Sequence, residues 1–174
     1  MGKLLSLMVA TTALLGLVAT ASGTKVAATP CNGAMLTGTF KVIQGSAGAG
    51  NIVYRLRVAN NGSAACFVTG LPGVTLLDAH GRKLPTKSIF AGQPGTLTAV
   101  MVTLIPGSGT ATLTARFSPD IPGPAEPVVG RRCERTAYEL RVAPSGGGSV
   151  VVPISPPTPV CEHGTLQLTS FVQG

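Results

Sequence analysis

The sequence predicts an all-β protein: an Ig-like antiparallel β-sandwich with two disulfides, preceded by a signal peptide. Three observations carry that expectation. Apolar and polar residues alternate with a period of two in several short runs, as half-buried strands require. Asn-Gly and Pro-Gly turn signals separate the runs, and no stretch combines sustained helical periodicity with caps. Four cysteines stand in a chain that opens like an exported one, the setting in which disulfides form and persist.

The N-terminus reads as an address. Lys3 supplies a positive start, Leu4 to Val18 is 15 residues without a charge, and Ala19-Thr20-Ala21 offers the small residues of a cleavage site. This is the layout of a secretory signal peptide over residues 1–21. A membrane anchor needs roughly 18–20 strongly apolar residues, and this run is shorter and diluted by Thr11, Thr12 and Gly16. A lipid-modified Cys would follow the apolar run directly, whereas Cys31 lies 13 residues beyond Val18, so no lipoprotein is expected. Cleavage after Ala21 leaves 153 residues and takes the formal charge from +7 to +6. Those residues divide into a short flexible segment, 22–29, and a single sandwich domain, 30–174. The mature protein is expected to be secreted or envelope-associated, with no transmembrane anchor.

The strands follow in order. In Ile52 to Val58, the apolar Ile52, Tyr54, Leu56 and Val58 share one face, and Arg55 and Arg57 point the other way. Leu97 to Ile105 is nearly all apolar or Thr, as in a strand buried on both faces. Ala111, Leu113, Ala115 and Phe117 alternate with Thr112, Thr114 and Arg116. Tyr138, Leu140 and Val142 alternate with Glu139 and Arg141, and Leu166 to Val172 is a last, weaker strand. The Pro-rich segments Pro119 to Pro127 and Pro153 to Pro159 are expected to be extended loops or edge segments.

Four cysteines allow three pairings, and hairpin symmetry selects one. Cys31 and Cys66 are centred on position 48.5, inside the Gly-rich stretch 45–50; Cys133 and Cys161 are centred on Gly147, inside 145–149. If each stretch is a hairpin tip, each Cys pair meets at the open end. The predicted bridges are therefore Cys31–Cys66 and Cys133–Cys161.

A search for chemistry returns little. Two His and six carboxylates are a thin stock, and no catalytic, cofactor-binding or metal-ligating residue is assigned. His80 falls in the turn Asp78-Ala79-His80-Gly81, and Cys161-Glu162-His163 has no metal-ligand spacing. Gly45 to Gly50 lacks the Lys of a phosphate-cradling loop. Asn61-Gly62-Ser63 fits a glycosylation sequon but reads better as a turn. The basic residues that could meet an anion are Arg55, Arg57, Arg82, Lys83, Arg116, Arg131, Arg132 and Arg141. Only two Tyr could stack beside them, so nucleic acid is not expected as a partner.

One string of motifs is similar to a known family. An apolar strand ending at Val58 leads into Asn60-Asn61-Gly62-Ser63, then Cys66, Gly70-Leu71-Pro72-Gly73-Val74 and the turn Leu77-Asp78-Ala79-His80-Gly81. Val102-Thr103-Leu104-Ile105-Pro106-Gly107, Cys133, Leu140 to Pro144 and Cys161 to Leu166 continue it. The string resembles the exported actinobacterial domain of unknown function number 4232, from about Pro30 to Val172; Leu71 stands where an aromatic is common. The resemblance implies a secreted or envelope-associated sandwich with two disulfides and brings no catalytic residues. Many members look like lipoproteins, which this chain does not.

Three functional readings follow. The preferred one is a non-catalytic extracytoplasmic module that binds or builds part of the cell envelope or meets another extracytoplasmic protein, with the Pro-Gly loops as contact surface. The second is a protein held to anionic cell-wall polymer or lipid headgroups by its basic surface. The third is a hydrolase built on His80 or His163 with Asp78 or Asp120.

Overall fold

The structure, a computed structural model, describes residues 28–92, 99–128 and 133–174. The signal-peptide reading lies outside the described residues, as do Arg131 and Arg132 and the start of the 97–105 stretch. Twelve strands run in chain order among the described residues. They are β1 (Thr29–Pro30), β2 (Leu36–Val42), β3 (Ile52–Asn60), β4 (Cys66–Thr69), β5 (Gly73–Leu77) and β6 (Lys87–Phe90), then β7 (Met101–Leu104), β8 (Thr110–Phe117), β9 (Thr136–Ala143), β10 (Val150–Pro159), β11 (Thr165–Leu168) and β12 (Val172–Gln173). A 3-10 turn, Gly33–Met35, leads into β2, and a single turn, Cys161–Gly164, joins β10 to β11.

The strands form two sheets packed as a β-sandwich that comes close to a barrel. A small sheet has the order β1-β4-β7; the large one runs β5-β9-β10-β2-β3-β8-β11-β6, with β12 also on β8. The edge strands β5 and β6 approach each other, because the Leu84 N–H donates to the Leu76 carbonyl and the Leu76 N–H to the Thr86 hydroxyl. Most pairings are antiparallel, as expected; β1–β4, β2–β10 and β6–β11 are parallel.

Period two decides what is inside. Tyr54, Leu56 and Val58 of β3 are buried with Phe40 of β2 and Ala111, Leu113, Ala115 and Phe117 of β8, while Arg55 and Arg57 face water. The aromatic centre is Tyr54, its ring 5.1 Å from that of Phe40 and 5.2 Å from that of Phe117. Its hydroxyl donates to the Pro156 carbonyl at 2.8 Å, so a buried polar tip is satisfied.

Both disulfides are those predicted, Cys31–Cys66 and Cys133–Cys161, with Cα separations of 4.9 and 5.4 Å. The second stands at the open end of the β9–β10 hairpin. That hairpin turns through Gly147 and Gly148, both at positive φ, where a side chain would be strained. The first is reached differently: β2 and β3 do form the expected hairpin, but Cys31 lies before it, where its N–H donates to the Phe67 carbonyl beside the parallel β1–β4 contact.

Three expectations need correction. The 97–105 run is not a strand buried on both faces: β7 pairs with β4 alone, burying Val102 and Leu104 while Met101 and Ile105 are exposed. Tyr138 does not share the inner face of Leu140 and Val142; the register of β9 against β10 shifts between Pro153 and Thr158, so Ala137 turns inward and Tyr138 outward. Residues 153–159 are neither loop nor edge but part of β10, between β9 and β2. Pro156 and Pro157 fall in the gap of that shift, where the β9 ladder requires no N–H, and Pro153 and Pro159 lie beside it, opposite Glu139 and Thr136.

Candidate functional site

Strands β2, β3 and β8 lie side by side, and what their inner faces bury fixes what their outer faces show. With Phe40, Tyr54, Leu56 and Ala115 inside, the alternate residues Lys41, Arg55, Arg57 and Arg116 stand outside, and all four are exposed. Lys41 is directly opposite Arg55, and Arg57 is opposite Thr39. Across the next ladder Arg55 faces Thr114, so Arg116 is its diagonal neighbour. Directly opposed side chains have Cβ atoms about 4.5–5.5 Å apart and diagonal ones about 7–8 Å apart. The four cations therefore form one contiguous patch.

Among the described residues no ion pair neutralises it. None of the six carboxylates falls on β2, β3 or β8. Among the described residues the one ion pair is Arg82–Asp78, at another place. Like charges directly opposed in a sheet destabilise it by roughly 0.2–1 kcal/mol, so the Lys41–Arg55 pair works against folding. Local conflicts of this kind concentrate at functional sites.

Two adjoining concavities flank the patch and share Thr39 and Arg57. One, about 340 Å³, is lined by Lys41, Arg55 and Gln44 with those two residues. The other, about 450 Å³, is lined by Thr37, Ala59, Asn61, Gly107, Ser108 and Thr110. Its far wall is the loop after β7, fixed where the Gly107 N–H donates to the Asn60 carbonyl. Asn60 is buried and organises this end of the sheet: its amide donates to the Ala64 and Leu104 carbonyls at 2.8 and 2.9 Å, and its oxygen accepts the Gly62 N–H.

The remaining sequence candidates separate. Arg141 lies on the outer face of the same large sheet, but on β9, opposite Thr75 and Val151, with β10 and β2 between it and Arg55. Arg82 is held by Asp78, whose carboxylate accepts from the Arg82 side chain and from the N–H groups of Arg82 and His80. The Arg82 hydrogen bond, opposed by desolvation and aided by those N–H groups, lowers the Asp78 pKa to about 2. Lys83 is exposed in the same turn region, away from the patch. The structure brings Arg55, Arg57 and Arg116 together and adds Lys41. The signal for Lys41 was the β2–β3 hairpin itself, once its register is fixed.

A second polar cluster surrounds the turn Cys161–Gly164. Glu162, His163 and Gly164 all have positive φ (57°, 57° and 74°), a conformation unfavourable by about 1–2 kcal/mol for each residue with a side chain. Glu126, buried, holds it: its carboxylate accepts the Glu162 N–H at 2.7 Å, the His163 N–H at 2.8 Å and the Gly123 N–H at 2.6 Å. Burial pushes the Glu126 pKa up, but those N–H groups and nearby His163 outweigh it, and the pKa ends below the usual carboxylate value. Burial, and then the Glu126 charge, raise the Glu134 pKa above the usual carboxylate value. Glu126, Glu134 and His163 offer atoms within 4.8 Å of one another. Glu126 is nevertheless committed to three backbone donors, and the His163 Nε2 lies 3.2 Å from the Pro124 carbonyl. The carboxylates gathered at His163 are thus Glu126 and Glu134, and Asp78 is occupied in its own turn.

Fold and bridges define a disulfide-bonded β-sandwich domain, of the kind made in an oxidising, extracytoplasmic environment. Among the described residues no helix is long and apolar enough to cross a membrane. The chain belongs to the family described as Domain of unknown function (DUF4232), which it matches over residues 31–172. No curated protein and no solved structure matches it.

Proposed function

We propose that this domain is a non-catalytic extracytoplasmic binding module that holds an anionic component of the cell envelope against the outer face of β2, β3 and β8. The observation that carries the reading is the contiguous set Lys41, Arg55, Arg57 and Arg116 on strands without a carboxylate. An uncompensated patch of one sign raises the local concentration of the opposite sign and steers its approach. The Pro106-Gly107 loop, one of the Pro-Gly turns, walls the adjoining pocket and supports the expectation that such loops make contacts. No catalytic step is assigned, because His80 and Asp78 serve a turn and Glu126 serves another.

Binding to immobilised polyphosphate tests this. The wild-type chain is expected to bind at low salt, and Arg55→Glu is expected to release it. An Arg55→Glu variant that is folded and binds as well as wild type would contradict the assignment.

A further inference from the structure

We propose that the ligand of this face is a phosphorylated polyol, with its phosphate against Lys41, Arg55 and Arg57 and its hydroxyls in the adjoining pocket. The inference rests on the anion-binding reading above and narrows it to a ligand class. The pocket beside the cations, at about 450 Å³, is of the size that small-molecule sites have. It is not lined by charge apart from Arg57. Thr37, Thr39, Ser108 and Asn61 bring hydroxyl and amide groups that make no side-chain hydrogen bond among the described residues. Those groups both donate and accept, as alcohol hydroxyls do.

Arg57 and Thr39 line both concavities, so a molecule spanning them meets cations at one end and hydroxyls at the other. A guanidinium binds phosphate bidentately, and the neighbouring ammonium of Lys41 adds a second positive charge. The lining holds no aromatic side chain, so recognition there rests on hydrogen bonds rather than on stacking. A simple anion would leave the hydroxyl pocket unused, and a neutral polyol would leave the cations unused. A polyol phosphate uses both. That chemistry occurs in phosphate-linked polyol polymers and in lipid headgroups alike.

Titration of the oxidised full chain with myo-inositol 1-phosphate, myo-inositol and inorganic phosphate, followed by NMR shifts, tests the assignment. The inositol phosphate is expected to bind about tenfold more tightly than inorganic phosphate, a difference of about 1.4 kcal/mol. Thr37→Val/Ser108→Ala, both at exposed positions, is expected to bring that ratio close to one, and Lys41→Glu to weaken both ligands. Equal affinities in the wild type, with the double variant silent, would overturn the polyol assignment and leave the anion face standing. Loss of all phosphate binding in the wild type would overturn both. Retention on poly(glycerol phosphate) points to a polymer as source and retention on phosphatidylinositol vesicles to a headgroup; retention on neither overturns the proposal.

Discussion

Lys41→Glu should make the protein more stable while removing its ligand. In the wild type Lys41 opposes Arg55 across the β2–β3 ladder, and both side chains are exposed. The substitution removes a like-charge pair and creates an opposite-charge one. Each change is worth roughly 0.2–1 kcal/mol, together about 0.5–2 kcal/mol before screening and about 0.5–1 kcal/mol after it. For a domain of this size that corresponds to a Tm higher by about 1–4 °C. Equilibrium urea unfolding of the oxidised protein reads the effect directly. The gain should shrink between about 20 mM and about 500 mM salt, because the Debye length falls from tens of ångströms to a few. Lys41→Met, which keeps the stem without the charge, should show roughly half the gain. A Lys41→Glu variant that is less stable than wild type, or whose gain is the same at both salt concentrations, would refute the claim that the two cations repel.

Other parts of the fold give sharper effects. Cys31→Ala/Cys66→Ala opens a loop of 35 residues and should lower stability by about 4 kcal/mol on chain-entropy grounds, read by urea unfolding against the oxidised wild type. Asp78→Asn bears on the acid limb of stability. A carboxylate lowered from 3.8 to about 2 stabilises the fold above the higher value, and that contribution is lost as pH falls through the lower one. The variant should therefore show a flatter stability profile between those two pH values, measured by urea midpoints at stepped pH. Glu126→Gln leaves one acceptor oxygen where the carboxylate took three N–H groups, and should destabilise by roughly 2–4 kcal/mol. Hydrogen exchange should show faster exchange at Glu162 and His163 in that variant, and unchanged rates there would deny the capping role.

Much of this architecture was legible in the chain, and the failures have identifiable causes. Strands β3 and β8 were clear because each buries one face against the sandwich, which forces a clean period of two. The disulfide pairing followed from hairpin symmetry, although only Cys133–Cys161 stands at the end of its hairpin in the way the symmetry argument supposed. The β2–β3 register shows why Lys41 was missed. Cysteine symmetry centred that hairpin at 48.5, which would set Lys41 against Leu56 and on the opposite face. The observed pairing of Val42 with Tyr54 centres it at 48 and sets Lys41 against Arg55. Half a residue decides the face.

Tyr138 failed for a related reason, since the shift between β9 and β10 is a property of two strands and leaves no mark on one. The Leu97 to Ile105 run read as doubly buried, but apolar content does not reveal that a strand lies at an edge. Glu126 gave no signal at all: its partners Glu162 and His163 are 36 and 37 residues away, joined by backbone donors that every residue type carries.

The most direct test of the account is the salt dependence of wild-type binding to immobilised polyphosphate, compared with a variant in which Lys41, Arg55 and Arg57 are all changed to Gln. The account predicts firm retention of the wild type at about 50 mM salt, loss by about 500 mM, and little retention of the variant at either. Retention of the wild type that is unchanged across that range, or shared by the folded variant, would contradict it.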